Sequence, residues 1–304
     1  MENGTDIVNA LTVDVEDYFH VTALEPHIPR SAWGRWPVRV EANTRRVLEL
    51  LGRHGARATF FVLGWVAERF PGLVREIAAA GHEVASHGWD HRRLTGLTPE
   101  DFRRDVLRAR ILLEDVTGMP VRGYRAPSFS ITARTRWAHA VLAETGHAYS
   151  SSVYPVRHDL YGMPEAPRGP YRPVSGLVEV PVTTVRIAGL TLPAGGGGFF
   201  RLYPYALSRW ALRRVNRREG RPAVFYFHPW ELDPAQPRPQ GLGLRTRVRH
   251  YLNLERMEDR LGRLLADFRW DRMDRIYAGP GPGARASAAE GAGPGAATGT
   301  YGRV

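Results

Sequence analysis

The sequence contains no cysteine in its 304 residues. This absence excludes disulfides, iron–sulfur clusters, thiolate zinc sites and cysteine nucleophiles. Any bound metal must therefore be held by histidine and carboxylate side chains.

Lysine is missing as well, so all 42 basic residues are arginine, and the net charge is +11. The arginine-rich stretch 213–221 could contact phosphates. No base-reading motif accompanies the charge, so we interpret the stretch as a solvated helix face and turn. We therefore expect no nucleic-acid partner, although attraction to an anionic polymer stays open.

Long apolar runs are absent too, and none approaches the roughly 18 residues of a membrane span. The N-terminal residues do not combine a basic start with a long apolar stretch, as a signal peptide would. We expect a cytoplasmic protein without a transmembrane segment. The hydrophobic fraction of 43% is sufficient for a sizeable core.

Strand-like and helix-like patterns alternate through the first half of the chain. This alternation predicts parallel strands joined by helical crossovers. The second half predicts a β-hairpin, a helix, a buried strand and one long amphipathic helix, over 177–193, 202–218, 222–228 and 247–268 respectively. We expect one catalytic domain over 1–277, with a motif-rich half at about 8–153 and a second part at about 154–277. Residues 278–304 are rich in Gly, Ala and Pro, and we expect them to be disordered.

Polar clusters follow four of the predicted strands. They comprise Asp14, Glu16 and Asp17, then His87 and His91, then Arg125, and finally His228. Taken singly, each has an ordinary explanation, such as a helix cap, a surface pair or a buried ion pair. Because the carboxyl ends of parallel strands meet at one rim, their coincidence favours a single site.

Two histidines and one carboxylate suit a catalytic Zn²⁺ or a similar divalent ion, with positions left open for water and substrate. A second carboxylate can accept a proton from water, and an arginine can keep that carboxylate ionised. A histidine on the opposite wall can protonate the leaving group. These parts predict a hydrolase for an amide or an ester.

Five segments together resemble the NodB-type polysaccharide deacetylases, carbohydrate esterase family 4: LTVDVED, ATFFVLGWVAE, GHEVASHGWDH, YRAPSFS and FYFHPWE. Three further stretches, DVEDYFHV, GGGFFRLYPY and HPWELD, are similar to the exosortase-system-associated branch, which is encoded with exopolysaccharide genes. The resemblance implies a distorted, incomplete (β/α) barrel. It also implies a metal-dependent hydrolase, with Zn²⁺ as the expected metal. Its substrate would be an N-acetylated amino-sugar polysaccharide or a lipid-linked oligosaccharide precursor, in exopolysaccharide biosynthesis.

The resemblance also implies roles for single residues. Asp14 would be the general base, Arg125 its partner and His228 the general acid, while His87 and His91 would bind the metal.

The third ligand is open between two acids. Alternation along a strand puts Asp14 and Glu16 on one face, which favours Glu16, with Asp17 as the alternate.

The chain departs from the family pattern where an Asp- and Trp-containing motif usually tunes the acid histidine. The corresponding stretch, HAYSSSVYP, has no carboxylate. Glu231 or Asp233 could replace it. Gly195–Gly198 permits close backbone approach to a ligand or forms a flexible turn.

Substrate contacts are expected from five residues near the motifs: Trp89, Pro127, Ser128, Phe129 and Trp230. The two tryptophans stand beside the proposed histidines and could stack on sugar rings. A main-chain N–H near Ser128 could bind an oxyanion.

Two other functions compete with this prediction. One is a C–N hydrolase acting on a cyclic amide or small molecule with the same fold. The other is an inactive, carbohydrate-binding relative, against which the complete set of polar residues argues.

Overall fold

The computed structural model describes residues 7–158 and 161–279. The first two residues of the predicted tail fall within it, and the carbonyls of Ala278 and Gly279 accept hydrogen bonds from Arg122. Residues 280–304, the rest of the predicted tail, lie outside the described residues.

The strands are β1 (Val8–Val15), β2 (Thr59–Val62), β3 (Glu83–Ser86), β4 (Gly123–Tyr124), β5 (Tyr149–Ser150), β6 (Tyr171–Val174), β7 (Leu177–Glu179), β8 (Thr184–Ile187), β9 (Leu190–Pro193), β10 (Val224–Phe227) and β11 (Arg269–Asp271). The helices are α1 (Val40–Arg53), α2 (Gly64–Arg69), α3 (Pro71–Ala79), α4 (Pro99–Thr117), α5 (Ala138–Glu144), α6 (Gly197–Leu202), α7 (Tyr205–Glu219), α8 (Leu244–Tyr251) and α9 (Met257–Asp267).

The main sheet has the strand order β10-β1-β2-β3-β4-β5-β7-β6, and β11 pairs with the start of β1. Neighbouring strands from β10 to β7 run parallel, and only the edge strand β6 is antiparallel to its neighbour. Strands β1 and β2 are fully buried over most of their length, as expected for a parallel sheet covered by helices. The predicted alternation of strands and crossover helices is confirmed.

The sheet curves into a barrel that is closed only in part. The extended residues 180–183 bridge the gap, because the Val182 N–H bonds the Val153 carbonyl at 3.1 Å and the Thr183 N–H reaches the Val224 carbonyl at 3.4 Å. The predicted distorted, incomplete (β/α) barrel is therefore confirmed.

Local signals in the sequence account for helix α4. Thr98 caps it by accepting the Asp101 N–H at 3.1 Å, Pro99 is its first residue, and Gly118 ends it in the left-handed conformation. These residues therefore define both ends of the helix.

The prediction of one long helix over 247–268 is wrong. Helix α8 ends at Tyr251, and Asn253 adopts a left-handed conformation (φ 53°) that separates it from α9. The Asn253 amide donates to the carbonyl of Arg201 at 2.8 Å, so a tertiary contact stabilises the break. The predicted hairpin over 177–193 is also shorter, because β7 pairs with β5 and β6 in the main sheet, whereas β8 and β9 form a separate hairpin.

Among the described residues, every helix is too short or too polar to cross a bilayer.

Candidate active site

Three strands and their first following residues supply one wall of a cleft. Glu16 follows β1, His87 follows β3 and Arg125 follows β4, while Asp14 lies within the last residues of β1. Because these strands run parallel in one sheet, with β2 between β1 and β3, their carboxyl ends face the same edge of the sheet.

Asp14 and Arg125 form a buried ion pair beneath the cleft. The Arg125 Nη1 donates to Asp14 Oδ1 at 2.6 Å and to Thr12 Oγ1 at 2.8 Å. Its Nε and Nη2 donate to the carbonyl and hydroxyl of Ser151 at 3.0 and 2.9 Å. The guanidinium lies 4.2 Å from the centre of the Phe61 ring and has no exposed surface. This arrangement fixes one oxygen of Asp14 and leaves Oδ2 directed at the cleft.

Glu16, His87 and His91 bring one ligand atom each to within 4.8 Å of one another, and all three residues are buried. The His87 Nδ1 donates to the Arg125 carbonyl at 2.8 Å, so its Nε2 is the atom left for a ligand. The Nε2 of His91 lies 2.9 Å from Glu16 Oε2, yet that oxygen has no hydrogen-bond partner among the described residues.

These features fit a divalent cation. A buried carboxylate oxygen without a hydrogen bond is costly unless something binds it. Two imidazoles and one carboxylate are a suitable set for Zn²⁺ or a similar ion. Burial lowers the pKa of His87 to about 4, which keeps the imidazole neutral, the form that binds a metal.

Asp17 lies next to this cluster in sequence but faces away from it. Its Oδ1 accepts the Tyr18 N–H at 2.9 Å, and its Oδ2 accepts the N–H groups of Arg39 and Val40 at 2.6 and 2.8 Å. The residue therefore caps a turn and the beginning of α1. This placement supports Glu16 rather than Asp17 as the third ligand.

His228 follows β10 on the opposite wall of the cleft. Its Nε2 lies 3.1 Å from Glu16 Oε1 and 4.0 Å from Asp14 Oδ2. Its Nδ1 donates to Glu231 Oε1 at 2.8 Å. Burial alone would lower the pKa of His228, but the carboxylates of Glu16, Glu231 and Asp14 raise it to about 9.

Glu231 is held in turn by Arg201. The Arg201 Nε donates to Glu231 Oε2 at 2.6 Å, and both side chains are buried. The same guanidinium donates to the carbonyls of Arg249, His250 and Leu252. The sequence left open which residue orients His228, and in the structure Glu231 makes the hydrogen bond that orients it. Asp233, the other candidate, pairs with Arg39 and Asn43.

The glycine run Gly195–Gly198, which leads into α6, packs closely against this wall. A Cβ at Gly197 would lie 2.2 Å from Glu231 Oε1, and one at Gly196 would lie 2.7 Å from the Tyr226 ring. Close backbone approach is therefore required here, and what approaches is the protein's own β10 wall.

The cleft is lined by Asp14, Glu16, Val21, Thr22, Ala23, His87, His91, Ser128, Phe129, Tyr161, Tyr226, His228 and Trp230. Of the five residues predicted to contact substrate, Ser128, Phe129 and Trp230 are among them. The Trp230 ring stacks on His228 with ring centres 5.0 Å apart, and its other neighbour, His250, stacks at 4.3 Å. Trp230 is therefore held rigidly beside His228.

Trp89 and Pro127 lie outside this lining, contrary to their predicted place. The Trp89 ring packs against Gly64 and beneath the Arg108 guanidinium, 3.3 Å from the ring centre. Gly88, which is in the left-handed conformation, precedes Trp89 and turns it toward α4. There the main-chain N–H of Trp89 donates to the Asp105 carboxylate. Pro127 is buried, and its carbonyl accepts from Ser130.

Tyr161, Tyr226 and Thr22 line the cleft although the sequence did not single them out. Tyr226 lies in β10, where the apolar pattern predicts core packing, and its ring centre is 4.7 Å from that of Phe129. Thr22 and Ser128 bond through their hydroxyls at 2.8 Å across the cleft. Of these three residues, Tyr226 alone has a signal in the sequence. It lies two residues before His228, and residues two apart along a strand point to the same face.

Three residues that line the cleft have a strained backbone conformation. His91, Ser128 and Phe129 have φ values of 57°, 52° and 49°, in the left-handed region that non-glycine residues rarely adopt. Such conformations persist where surrounding structure enforces them, and they cluster at functional sites.

Comparison with known families divides the chain into two parts. Residues 33–149 match the family described as polysaccharide deacetylase, and residues 151–278 match a domain of unknown function, DUF3473.

Curated deacetylases match part of this chain. A peptidoglycan-N-acetylglucosamine deacetylase of Bacillus cereus is 31% identical over 96 residues, which cover 31% of this chain and 35% of that protein. A chitooligosaccharide deacetylase of Sinorhizobium fredii is 34% identical over 135 residues, which cover 42% of this chain and 60% of that protein. The chain thus spans less than two thirds of the length of either relative.

A crystal structure of a candidate polysaccharide deacetylase from Mycobacterium smegmatis shares the fold. Its TM-score is 0.58 at 22% identity, and the alignment covers 99% of this chain and 96% of that one. The likeness therefore extends through both matched parts. Residues 33–149 therefore form a domain of the polysaccharide deacetylase family, and a DUF3473 domain follows it over residues 151–278.

Proposed function

We propose that the protein is a metal-dependent N-deacetylase of an amino-sugar polymer or oligosaccharide. The observation that carries the proposal is the arrangement around Glu16, His87 and His91. The carboxylate Asp14 and the imidazole His228 flank this cluster, with His228 Nε2 4.0 Å from Asp14 Oδ2. The names of the Bacillus and Sinorhizobium relatives support the substrate class.

Glu16, His87 and His91 would hold the divalent ion. Bound there, the ion would supply Lewis acidity toward a carbonyl oxygen and increase the acidity of a water molecule.

Asp14 would accept the proton that the attacking water loses, through the Oδ2 atom that faces the cleft. Arg125 keeps Asp14 oriented, since it donates to the other oxygen of the carboxylate. The main-chain N–H near Ser128 would stabilise the negative charge that develops on the carbonyl oxygen.

His228 would donate the Nε2 proton to the amide nitrogen as the C–N bond breaks. The products would be acetate and a free amine on the sugar. Glu231 holds Nδ1 and so directs Nε2 into the cleft. Tyr226 and Trp230 line the same wall, where their rings could pack against a sugar.

The direct test is release of acetate from N-acetylglucosamine oligomers by the purified protein, with metal content measured on the same sample. We expect acetate release that stops when a chelator removes the metal and returns when Zn²⁺ is restored. The matched control is the Asp14→Asn variant, which should keep the metal while its turnover falls by about 10² to 10⁴. Hydrolysis of a cyclic amide, with no acetate from any N-acetylated oligomer, would instead establish the rival C–N hydrolase.

Two finer predictions concern the biosynthetic role of the protein and the form of its substrate. The resemblance to the exosortase-associated branch supports a role in exopolysaccharide biosynthesis, and a lipid-linked oligosaccharide is a second substrate form. Deletion of the gene should increase the N-acetyl content of the secreted polysaccharide. An unchanged polymer would contradict this role while leaving the chemistry of the cleft untested by that experiment.

A further inference from the structure

Helix α7 presents an unusual solvent face. Leu207, Trp210, Arg214 and Arg218 recur at spacings of three and four residues, which places them along one side of the helix. Leu207 and Trp210 are each 43% exposed, although both are large apolar side chains. Exposed leucine and tryptophan beside arginines are typical of helices that lie at a membrane surface.

The neighbouring hairpin extends this apolar surface. In the β8–β9 pair, Val185 stands opposite Leu192, and Ile187 opposite Leu190. Opposite residues of antiparallel strands project from the same face. Val185 and Ile187 pack with Ala211 of α7, so Leu190 and Leu192 lie on the face that covers α7. Leu190 is nevertheless 66% exposed.

Positive charge predominates on this surface. Five arginines of α7 and Trp210 line one shallow groove. Asp267 pairs with Arg209 and lies 3.7 Å from Arg213. Within residues 7–158 and 161–279, no carboxylate pairs with the other three, Arg214, Arg217 and Arg218. An unpaired arginine cluster attracts phosphate groups.

We propose that this surface, formed by Leu190, Leu192, Leu207, Trp210 and the three unpaired arginines, docks the protein onto an anionic phospholipid bilayer. The arginines would bind headgroup phosphates, and the four apolar side chains would enter the interfacial layer. The inference does not depend on the proposed chemistry of the cleft. It replaces the interpretation of the arginine-rich stretch as a solvated face, because a solvated face gives no reason for the exposed leucines and tryptophan.

The surface is connected rigidly to the cleft. Helix α6, which carries Arg201 and through it holds Glu231, is joined to α7 by Tyr203 and Pro204 alone. Docking through α7 would therefore fix the orientation of the His228 wall relative to the bilayer.

The first arm of the test removes charge. The full-length protein is mixed with vesicles of phosphatidylcholine containing one quarter phosphatidylglycerol, and the bound fraction is measured by sedimentation. We expect Arg214→Gln/Arg217→Gln/Arg218→Gln to weaken binding on the order of 100-fold, since each arginine near an anionic surface contributes about fivefold. The matched control is Arg53→Gln/Arg104→Gln/Arg136→Gln, which removes the same charge from exposed arginines on other faces.

The second arm removes apolar surface. We expect Leu190→Gln/Trp210→Gln to weaken binding roughly tenfold. Its matched control is Ile111→Gln/Met119→Gln, which changes two exposed apolar residues in and just beyond α4. Acetate release from soluble oligomers should be unchanged in every variant, so failure of the docking proposal and failure of the proposed function are distinguishable.

Three results would overturn the proposal. The first is that the wild-type protein binds the anionic vesicles no better than vesicles of pure phosphatidylcholine. Alternatively, both arginine triples would weaken binding equally, which would indicate attraction by net charge alone. Finally, the protein would sediment as a dimer that Leu190→Gln/Trp210→Gln converts to a monomer, which would make this surface a contact between two copies of the chain.

Discussion

The two walls of the cleft are built in different ways. Glu16, His87 and Arg125 each follow a strand of one parallel sheet, and main-chain pairing between β1, β2, β3 and β4 sets their separation. His228, on the opposite wall, also follows a strand of this sheet, β10, but its ring is oriented by side chains, because Arg201 positions Glu231, which positions His228. Strand register therefore places residues on both walls, and a relay of buried charges is needed in addition to orient His228 on the second wall. The first should therefore tolerate changes near the ligands, whereas the second should lose function when any member of the relay is altered.

The largest expected effect is on the strand-built wall. His87→Ala or His91→Ala removes one of the three proposed metal ligands, so bound metal should be lost and acetate release should fall by roughly 10³-fold or more. The fold should change little, because the strands rather than the metal position this wall. Metal analysis and thermal unfolding of each variant measure both effects. His27→Ala, at an exposed histidine, is the control. Full metal occupancy in either ligand variant would show that the pair is not the site.

The next effect separates Asp14, in β1, from Glu16, which follows it. Asp14→Asn keeps the shape of the side chain but cannot accept a proton, so turnover should fall by about 10² to 10⁴ while the metal stays bound. Glu16→Gln should weaken metal binding, since a neutral amide is a poorer ligand for a divalent ion. Excess metal should then restore part of the activity of Glu16→Gln and none in Asp14→Asn. The reverse pattern would exchange the two roles.

The relay on the second wall is tested by Glu231→Gln. The amide keeps the size of the side chain but places a neutral group between His228 and the buried Arg201. We expect turnover to fall roughly 10- to 100-fold with metal content unchanged, because His228 loses the partner that orients it. The rate should recover in Glu231→Asp only if the shorter carboxylate still reaches Nδ1.

Asp233→Asn is the matched control for that change. Asp233 lies two residues further along the same turn and is also buried, but it bonds Arg39 and Asn43 instead of the histidine. This variant should lose stability and keep its turnover per folded molecule. Equal losses of turnover in the two variants would show that the relay is merely structural.

The same contrast explains what the sequence could predict. Strand ends carry a local signal, so the pattern of apolar runs followed by Asp, Glu, His or Arg predicts which residues share a rim. The candidate site of Asp14, Glu16, His87, His91, Arg125 and His228 follows from that pattern together with the resemblance.

Contacts that depend on distant elements left no comparable signal. Arg201 lies in a helical stretch with nothing to mark its buried contact with Glu231, 30 residues away. Trp89 stands beside a proposed ligand in sequence, yet the left-handed Gly88 directs it to α4. The break at Asn253 likewise depends on a bond to the Arg201 carbonyl and overrides the helical periodicity around it.

The smallest effect on activity, and the last test of the comparison, is Asp17→Asn. Asp17 belongs to the same acidic cluster as Asp14 and Glu16, but its oxygens accept three main-chain N–H groups, from Tyr18, Arg39 and Val40. An amide oxygen cannot serve all three donors, so we expect the free energy of unfolding to fall by about 1 to 3 kcal/mol. Thr98→Ala is the reference, because Thr98 caps α4 through a single main-chain N–H and should cost about 1 kcal/mol.

Metal content and turnover per folded molecule should both be unchanged in Asp17→Asn. The strand-built wall would then consist of Glu16 and the two histidines, with Asp17 as a support for α1 behind it. Loss of metal in Asp17→Asn, with Glu16→Gln unaffected, would move the third ligand to Asp17. Such a result would require the residues after β1 to rearrange when metal binds, and strand register would then no longer be sufficient to fix this wall.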